Sequence, residues 1–388
     1  MRRHLAVLVV ITLFAIAAFP QPVDKEALAQ RIVTQSAAVK EGDLVFINGS
    51  VRDLEILENI AVNVRKLGAD PLVAIDSDRM TRRMFIDVPA KYDAQFPKWF
   101  ALLANSADVV ISIDTGDQAG LLSDIPPERF QARARASAAL GEVMRARHVR
   151  QINLGNGMYP TAFLAQQFGM SQDELSNLFW RGVNVDYGAL SATGEQLRHA
   201  LAAGRELQIT NSNGTNLRLR VEGRPVMVSD GTLSTEAMAR GEKTQVWLPA
   251  GEVFLVPVAG TAQGTIVVNR YYYQGKPVEA LTLQVKDGRV TSMSAKSGLE
   301  PLRALYDSAS SGKDLLDIVD FGINPNITRP PGSQVQTWTP AGTVTVGIGN
   351  NTWAGGDNNT PFGLALFLPG SSVTLDGKSL VENGAARF

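Results

Sequence analysis

The stretch Leu248 to Val268, LPAGEVFLVPVAGTAQGTIVV, decides how this chain is read. Val246 to Leu248 and Val253 to Val258 are apolar and partly β-branched. Pro249-Ala250-Gly251 between them is turn chemistry, so the stretch predicts strand, turn, strand. Glu252 stands directly after the glycine and directly before the apolar run. A carboxylate entering a buried strand needs a partner, because burying an unpaired charge costs several kcal/mol or more. On the residues, two readings stay open. Glu252 is an end-of-strand charge, exposed or paired with an arginine, or it is a metal ligand or catalytic carboxylate.

Working outward, the N-terminal side alternates. Val23 to Val39 has helical spacing, Leu44 to Ile47 reads as a strand, and Leu54 to Leu67 as an amphipathic helix stopped by Gly68. Pro71 to Ile75, Val109 to Ile113 and Val149 to Leu154 are further strands; Trp99 to Ala104 and Glu128 to Arg147 are helical. Such alternation predicts an α/β domain with a parallel sheet and flanking helices. Ser171 and Glu174 form a capping box that opens the next helix, and another is predicted over Gly194 to Ala203. From Glu206 onward strands dominate. They include Leu217 to Glu222, Thr265 to Tyr272, Thr343 to Ile348 and Leu364 to Leu368, with a hairpin turn at Asp287-Gly288 and one late helix over Leu299 to Ser308. This second part reads as an α+β domain with a large, mostly antiparallel sheet. The expected division is 1–20, 21–190 and 191–388.

Residues 1–20 have the form of a secretory signal peptide: Arg2 and Arg3, the apolar run Leu5 to Ala18, then small residues. The run is short for a membrane span, so a secreted or periplasmic protein with no stable span after cleavage is expected. Across 388 residues the formal net charge is −1, which gives no argument for nucleic acid. No GxGxxG or P-loop is present, and no G-x-S-x-G. Cysteine is absent, which removes disulfides, thiolate metal sites and cysteine nucleophiles. Only His4, His148 and His199 could offer imidazole, the usual nitrogen ligand of catalytic zinc, and His148 and His199 read as structural. Asp76, Asp78, Asp114 and Asp117 follow strand ends and read as turn formers rather than a site. Tyr271-Tyr272-Tyr273 reads as strand packing.

The motif LPAGEVF…P…GT…G resembles the LP-G-GEVF-P signature of the aminopeptidase T family, the thermophilic metalloproteases. GTNLRLRVEGR precedes it and DFGINPN, GTVTVGIG and VTLDGK follow in the family's order. The resemblance implies removal of N-terminal residues from peptides by two adjacent divalent metal ions, which polarise the carbonyl and lower the pKa of the attacking water. It makes Glu252 a metal ligand. Within Asp317 to Pro325 it places Asp320 where the family has a second glutamate. Thr345 then stands at a family histidine, Thr352 at a family tyrosine, and Gly363 and Ala365 at a family H-x-D. The resemblance also implies a homodimer.

Glu252 and Asp320 are therefore the metal-ligand candidates, and Thr345, Thr352, Gly363 and Ala365 are substituted positions. Two carboxylates cannot hold two zinc ions, so both family metals are not expected here. An oxygen-only site using Glu252, Asp320 and Asp317 or Asp357 would suit a hard cation. The expected function is an exported homologue of these aminopeptidases that is inactive or only binds. The alternatives are an active hydrolase using Glu252 and Asp320 with an atypical metal, and a small-molecule binding protein. The expected ligand is a peptide or small molecule.

Overall fold

The chain's first half lays down four strands, β1 (Leu44–Ser50), β2 (Asp70–Asp76), β3 (Val109–Ile113) and β4 (Arg150–Leu154), all paired in parallel. The computed structural model describes residues 23–118, 120–233, 244–330, 334 and 339–388. The signal-like segment 1–20 lies outside the described residues. Along β1, β3 and β4 buried residues alternate with half-buried ones, so one sheet face is dense core. The helix Leu54–Lys66 covers that face with Ile56, Leu57, Ile60 and Val64, a spacing that puts all four on one side. The expected helix over Val23 to Val39 is a short α-helix, Lys25–Arg31, that widens into a π turn, Ile32–Ser36.

The strand-end aspartates serve the loops. Asp76 accepts from the Ser77 amide, Asp78 from the amides of Asp117 and Gln118, and Asp114 from Asn153 and the Gly157 amide. Asp117 pairs with Arg52. The crevice between the ends of β1 and β3, where such sheets take ligands, is thus bridged by the protein's own Arg52.

The second half adds β5 (Glu206–Thr210), β6 (Asn216–Arg220) and β7 (Val226–Ser229). β8 (Gln245–Leu248) then returns to the parallel sheet beside β4, giving the order β2-β1-β3-β4-β8. β9 (Glu252–Leu255) leaves it again after Pro249-Ala250-Gly251. There follow β10 (Gln263–Tyr273), β11 (Lys276–Lys286), β12 (Arg289–Ser294), β13 (Leu316–Gly322), β14 (Val344–Gly349), β15 (Gly363–Leu368), β16 (Ser372–Leu375), β17 (Lys378–Glu382) and β18 (Ala385–Ala386). They form two antiparallel sheets: eight strands in the order β12-β11-β10-β6-β5-β16-β17-β18, and five in the order β15-β14-β13-β9-β7. The expected fold class holds, with the large antiparallel region divided in two. Asp287-Gly288 turns with φ of 51° and 72°, both in the left-handed region that a two-residue hairpin requires.

Two local expectations differ from the structure, and one strand lies where none is expected. The helix predicted over Gly194 to Ala203 begins at Tyr187, capped by Asp186. Gly194 is tolerated inside it because a Cβ there would come within 2.5 Å of Val228 Cγ1. The strand expected to run to Val258 stops at Leu255, before Pro257, which has no amide to donate. Leu316–Gly322, where two aspartates mask the pattern, is a fully buried strand.

A carboxamide locks the turn before β9 onto the end of β13. Asn324 is fully buried and its Nδ2 donates to the carbonyls of Ala250 at 2.6 Å and Gly182 at 3.0 Å. The Ile323 amide donates to the Gly251 carbonyl at 2.8 Å. Gly251 has φ +135°, and a Cβ there would lie 2.3 Å from Asn324 Cβ, so only glycine permits this approach. Asn324→Ala leaves two buried carbonyls short of a donor and is expected to cost about 2–4 kcal/mol. A thermal melt checks this; a melting temperature unchanged within a degree or so would contradict the clamp.

Candidate functional site

Register decides which side chains share a face. In the five-stranded sheet Gly322 lies opposite Glu252, and Asp320 opposite Phe254 on one side and Thr345 on the other. Thr345 lies opposite Phe367, Gly347 opposite Ala365, and Gly349 opposite Gly363. Opposed residues point the same way and every second residue returns to that face. Glu252, Asp320, Thr345, Gly363 and Ala365 therefore all stand on one face, with Glu252 and Asp320 as diagonal neighbours on adjacent strands. The other face, including Val253, Leu255, Val319, Phe321, Val346 and Leu366, belongs to the main core.

Asp320 is 6% exposed. Its Oδ2 accepts from Thr339 Oγ1 at 3.3 Å, and that hydroxyl lies 3.4 Å from Thr345 Oγ1. Its Oδ1 is buried with no hydrogen-bond partner among the described residues. Burial, then the neighbouring Glu252 carboxylate, pushes the Asp320 carboxyl far up, against a smaller downward pull from Thr339. Glu252 keeps a little accessible surface yet is densely surrounded by protein, and burial pushes its carboxyl up to about 7. Asp317 is also 6% exposed with Oδ1 unpartnered among the described residues, and burial pushes it up to about 7. It leans over Gly347, where a Cβ would come within 2.9 Å of Asp317 Oδ2. One end of the face is apolar, built from Phe254, Val256, Ile318 and Ala354 with Met227. Trp353 covers it, its ring 5.2 Å from that of Phe254.

Thr352 is not turned into this face: it is exposed on a short 3-10 turn, with its hydroxyl donating to Asn350 Oδ1 at 2.9 Å. Gly363 and Ala365 are exposed, and the space where a Gly363 side chain would sit is open. Asp357 lies apart, exposed on the loop after Trp353. His148 is exposed after the helix Pro127–Ala146. His199 lies on Tyr187–Ala203, which packs against the opposite face of the sheet through Val228 and Val253. Neither imidazole reaches Glu252 or Asp320. Sequence reading missed Thr339, Phe254 and Trp353; the alternation of β9 was the available signal for Phe254, which stands two residues after Glu252.

The profile of the thermophilic metalloprotease (M29) family matches residues 24–315, and the chain belongs to that family. The match includes Glu252 and ends before Asp320. The chain is 24% identical over 311 residues to Aminopeptidase 2 of Geobacillus stearothermophilus, covering 75% of this chain and 74% of that protein. Its fold is similar to wild-type AmpT from Thermus thermophilus, with a TM-score of 0.70, 18% identity, and coverage of 94% of this chain and 99% of that one. It is also similar to 2,5-dihydroxypyridine dioxygenase from Pseudomonas putida KT2440, with a TM-score of 0.60, 15% identity, and coverage of 94% and 98%.

A pair of divalent ions asks for roughly four donors each. The face supplies the carboxylates of Glu252 and Asp320 and the hydroxyls of Thr339 and Thr345. Among the described residues no three His, Cys, Asp or Glu side chains converge as a metal-binding group. This donor set does not fit two ions.

Buried carboxyls with no counter-charge among the described residues set a sign for stability. The folded-state pKa of Asp317, about 7, lies above its unfolded value near 3.8, so the folded state holds the proton more tightly. Its contribution is therefore lost as pH rises from about 4 through 7. Asp317→Asn removes the penalty and is expected to stabilise the protein by on the order of 2–4 kcal/mol at pH 8, and by little at pH 4. Paired melts at the two pH values check this; equal effects at both would contradict it.

Proposed function

We propose that this member of the metallo-aminopeptidase family has lost the two-metal centre and does not cleave peptides. The observation that carries this is the shared face of the five-stranded sheet. There the two acids Glu252 and Asp320 stand beside Thr345, Gly363 and Ala365, positions where the family resemblance puts two histidines and an aspartate. Threonine hydroxyls are weak zinc donors, and glycine and alanine have no side-chain donor. The function left to the fold is binding, with a peptide or small molecule as ligand. The signal-like segment 1–20 supports export to the periplasm or exterior, and family resemblance supports a homodimer.

One observation favours a second reading. Two carboxylates with raised pKa values stand on adjacent strands, and such pairs serve acid-base chemistry elsewhere. Glu252→Ala separates the two. We expect no release of p-nitroaniline from amino-acid p-nitroanilides above the uncatalysed rate, with zinc, manganese or cobalt added, in either the parent protein or the variant. Release by the parent that disappears in Glu252→Ala would establish the hydrolase reading and overturn ours.

A further inference from the structure

Beyond the tip of β9 lies a pocket of about 280 Å³, lined in part by Pro257 and Gly260 of the opening stretch. Val256, Pro257 and Leu316 give it apolar walls, and Arg224 and Asp357 are both part of its lining. It is roughly twice the ~150 Å³ cavity that accepts a benzene. Val256 is four residues beyond Glu252 along the chain, about 13 Å in extended backbone, so the pocket is separate from the carboxylate pair.

Two charges are left over there. Arg224 is half-buried and donates through Nε to the Val256 carbonyl at 2.9 Å, which fixes the guanidinium at the wall. Among the described residues it has no ion pair, and neither does Asp357. Several shielded arginines are matched, Arg52 by Asp53 and Asp117, Arg129 and Arg133 by Asp93, and Arg150 by Asp43; Arg31, Arg303 and Arg329 are half-buried and, like Arg224, have no ion pair among the described residues. Shielding a guanidinium from water without a partner is costly. A ligand that brings an anion to Arg224 removes that cost. Arg224 and Asp357 line one pocket and form no ion pair with each other.

We propose that this pocket binds a small zwitterion with an apolar body. Its carboxylate meets Arg224, its ammonium group faces Asp357, and its aliphatic part lies against Val256 and Leu316. The inference goes beyond the reading of Glu252 and Asp320 and does not depend on it.

The test is calorimetric titration of the full chain with norleucine, hexanoate, pentylamine and hexanamide, which share an aliphatic chain and differ in charge. Norleucine is expected to bind best, hexanoate next, and pentylamine and hexanamide least. Arg224→Gln is expected to weaken norleucine at least ~10-fold, and Asp357→Asn about 3-fold, because Asp357 is the more exposed of the two. A melt of each variant guards against misfolding, and the comparison of hexanoate with hexanamide needs no variant. Three results would each overturn the proposal: no norleucine binding at millimolar concentration, hexanamide binding as well as hexanoate, or unchanged norleucine affinity in a folded Arg224→Gln protein.

Discussion

The buried carboxamide of Asn324 holds together two segments that are far apart in sequence. By donating to the carbonyls of Ala250 and Gly182, it satisfies backbone acceptors that water cannot reach. It also fixes where β9 begins relative to the end of β13. Gly251 must approach so closely that any side chain would collide with Asn324. The diagonal placement of Glu252 and Asp320 follows from this register. The glycine and asparagine of the two motifs thus have a structural role that stands whether or not the face between them binds metal.

That face carries an electrostatic debt. Asp317 and Asp320 each bury an oxygen without a partner among the described residues, and Glu252 adds a third acid nearby. A bound cation would satisfy such groups. On the same face stand a buried hydroxyl at Thr345 and open space at Gly363. Burial raises the pKa of all three carboxyls, the usual response of an acid with no counter-charge beside it. The framework is held by packing: the opposite face of the same sheet is continuous core, and the helix Tyr187–Ala203 seals it through Gly194. A fold of this kind also appears in a dioxygenase of similar structure, so the architecture does not dictate one chemistry.

Much of this was legible in the sequence. Alternating strands and helices up to Leu154 gave the parallel sheet, and the Ser171–Glu174 capping box appears as read. Glu252 and Asp320, more than sixty residues apart, fall on adjacent strands. Other features were hidden for physical reasons. β13 carries Asp317 and Asp320 inside a buried strand, which defeats a reading by hydrophobic alternation. β8 leaves the antiparallel half to complete the parallel sheet, a long-range pairing without a local signature. The Arg224 pocket joins residues from five separated stretches, and no spacing rule connects them.

The central claim is that the face bearing Glu252 and Asp320 no longer carries a two-metal centre. The direct measurement is metal content by elemental mass spectrometry on the full chain, purified without chelator or metal-binding tag. The account predicts well under one equivalent of zinc, manganese or cobalt per chain, and no rise in melting temperature when these ions are added. About two tightly held equivalents per chain would contradict it.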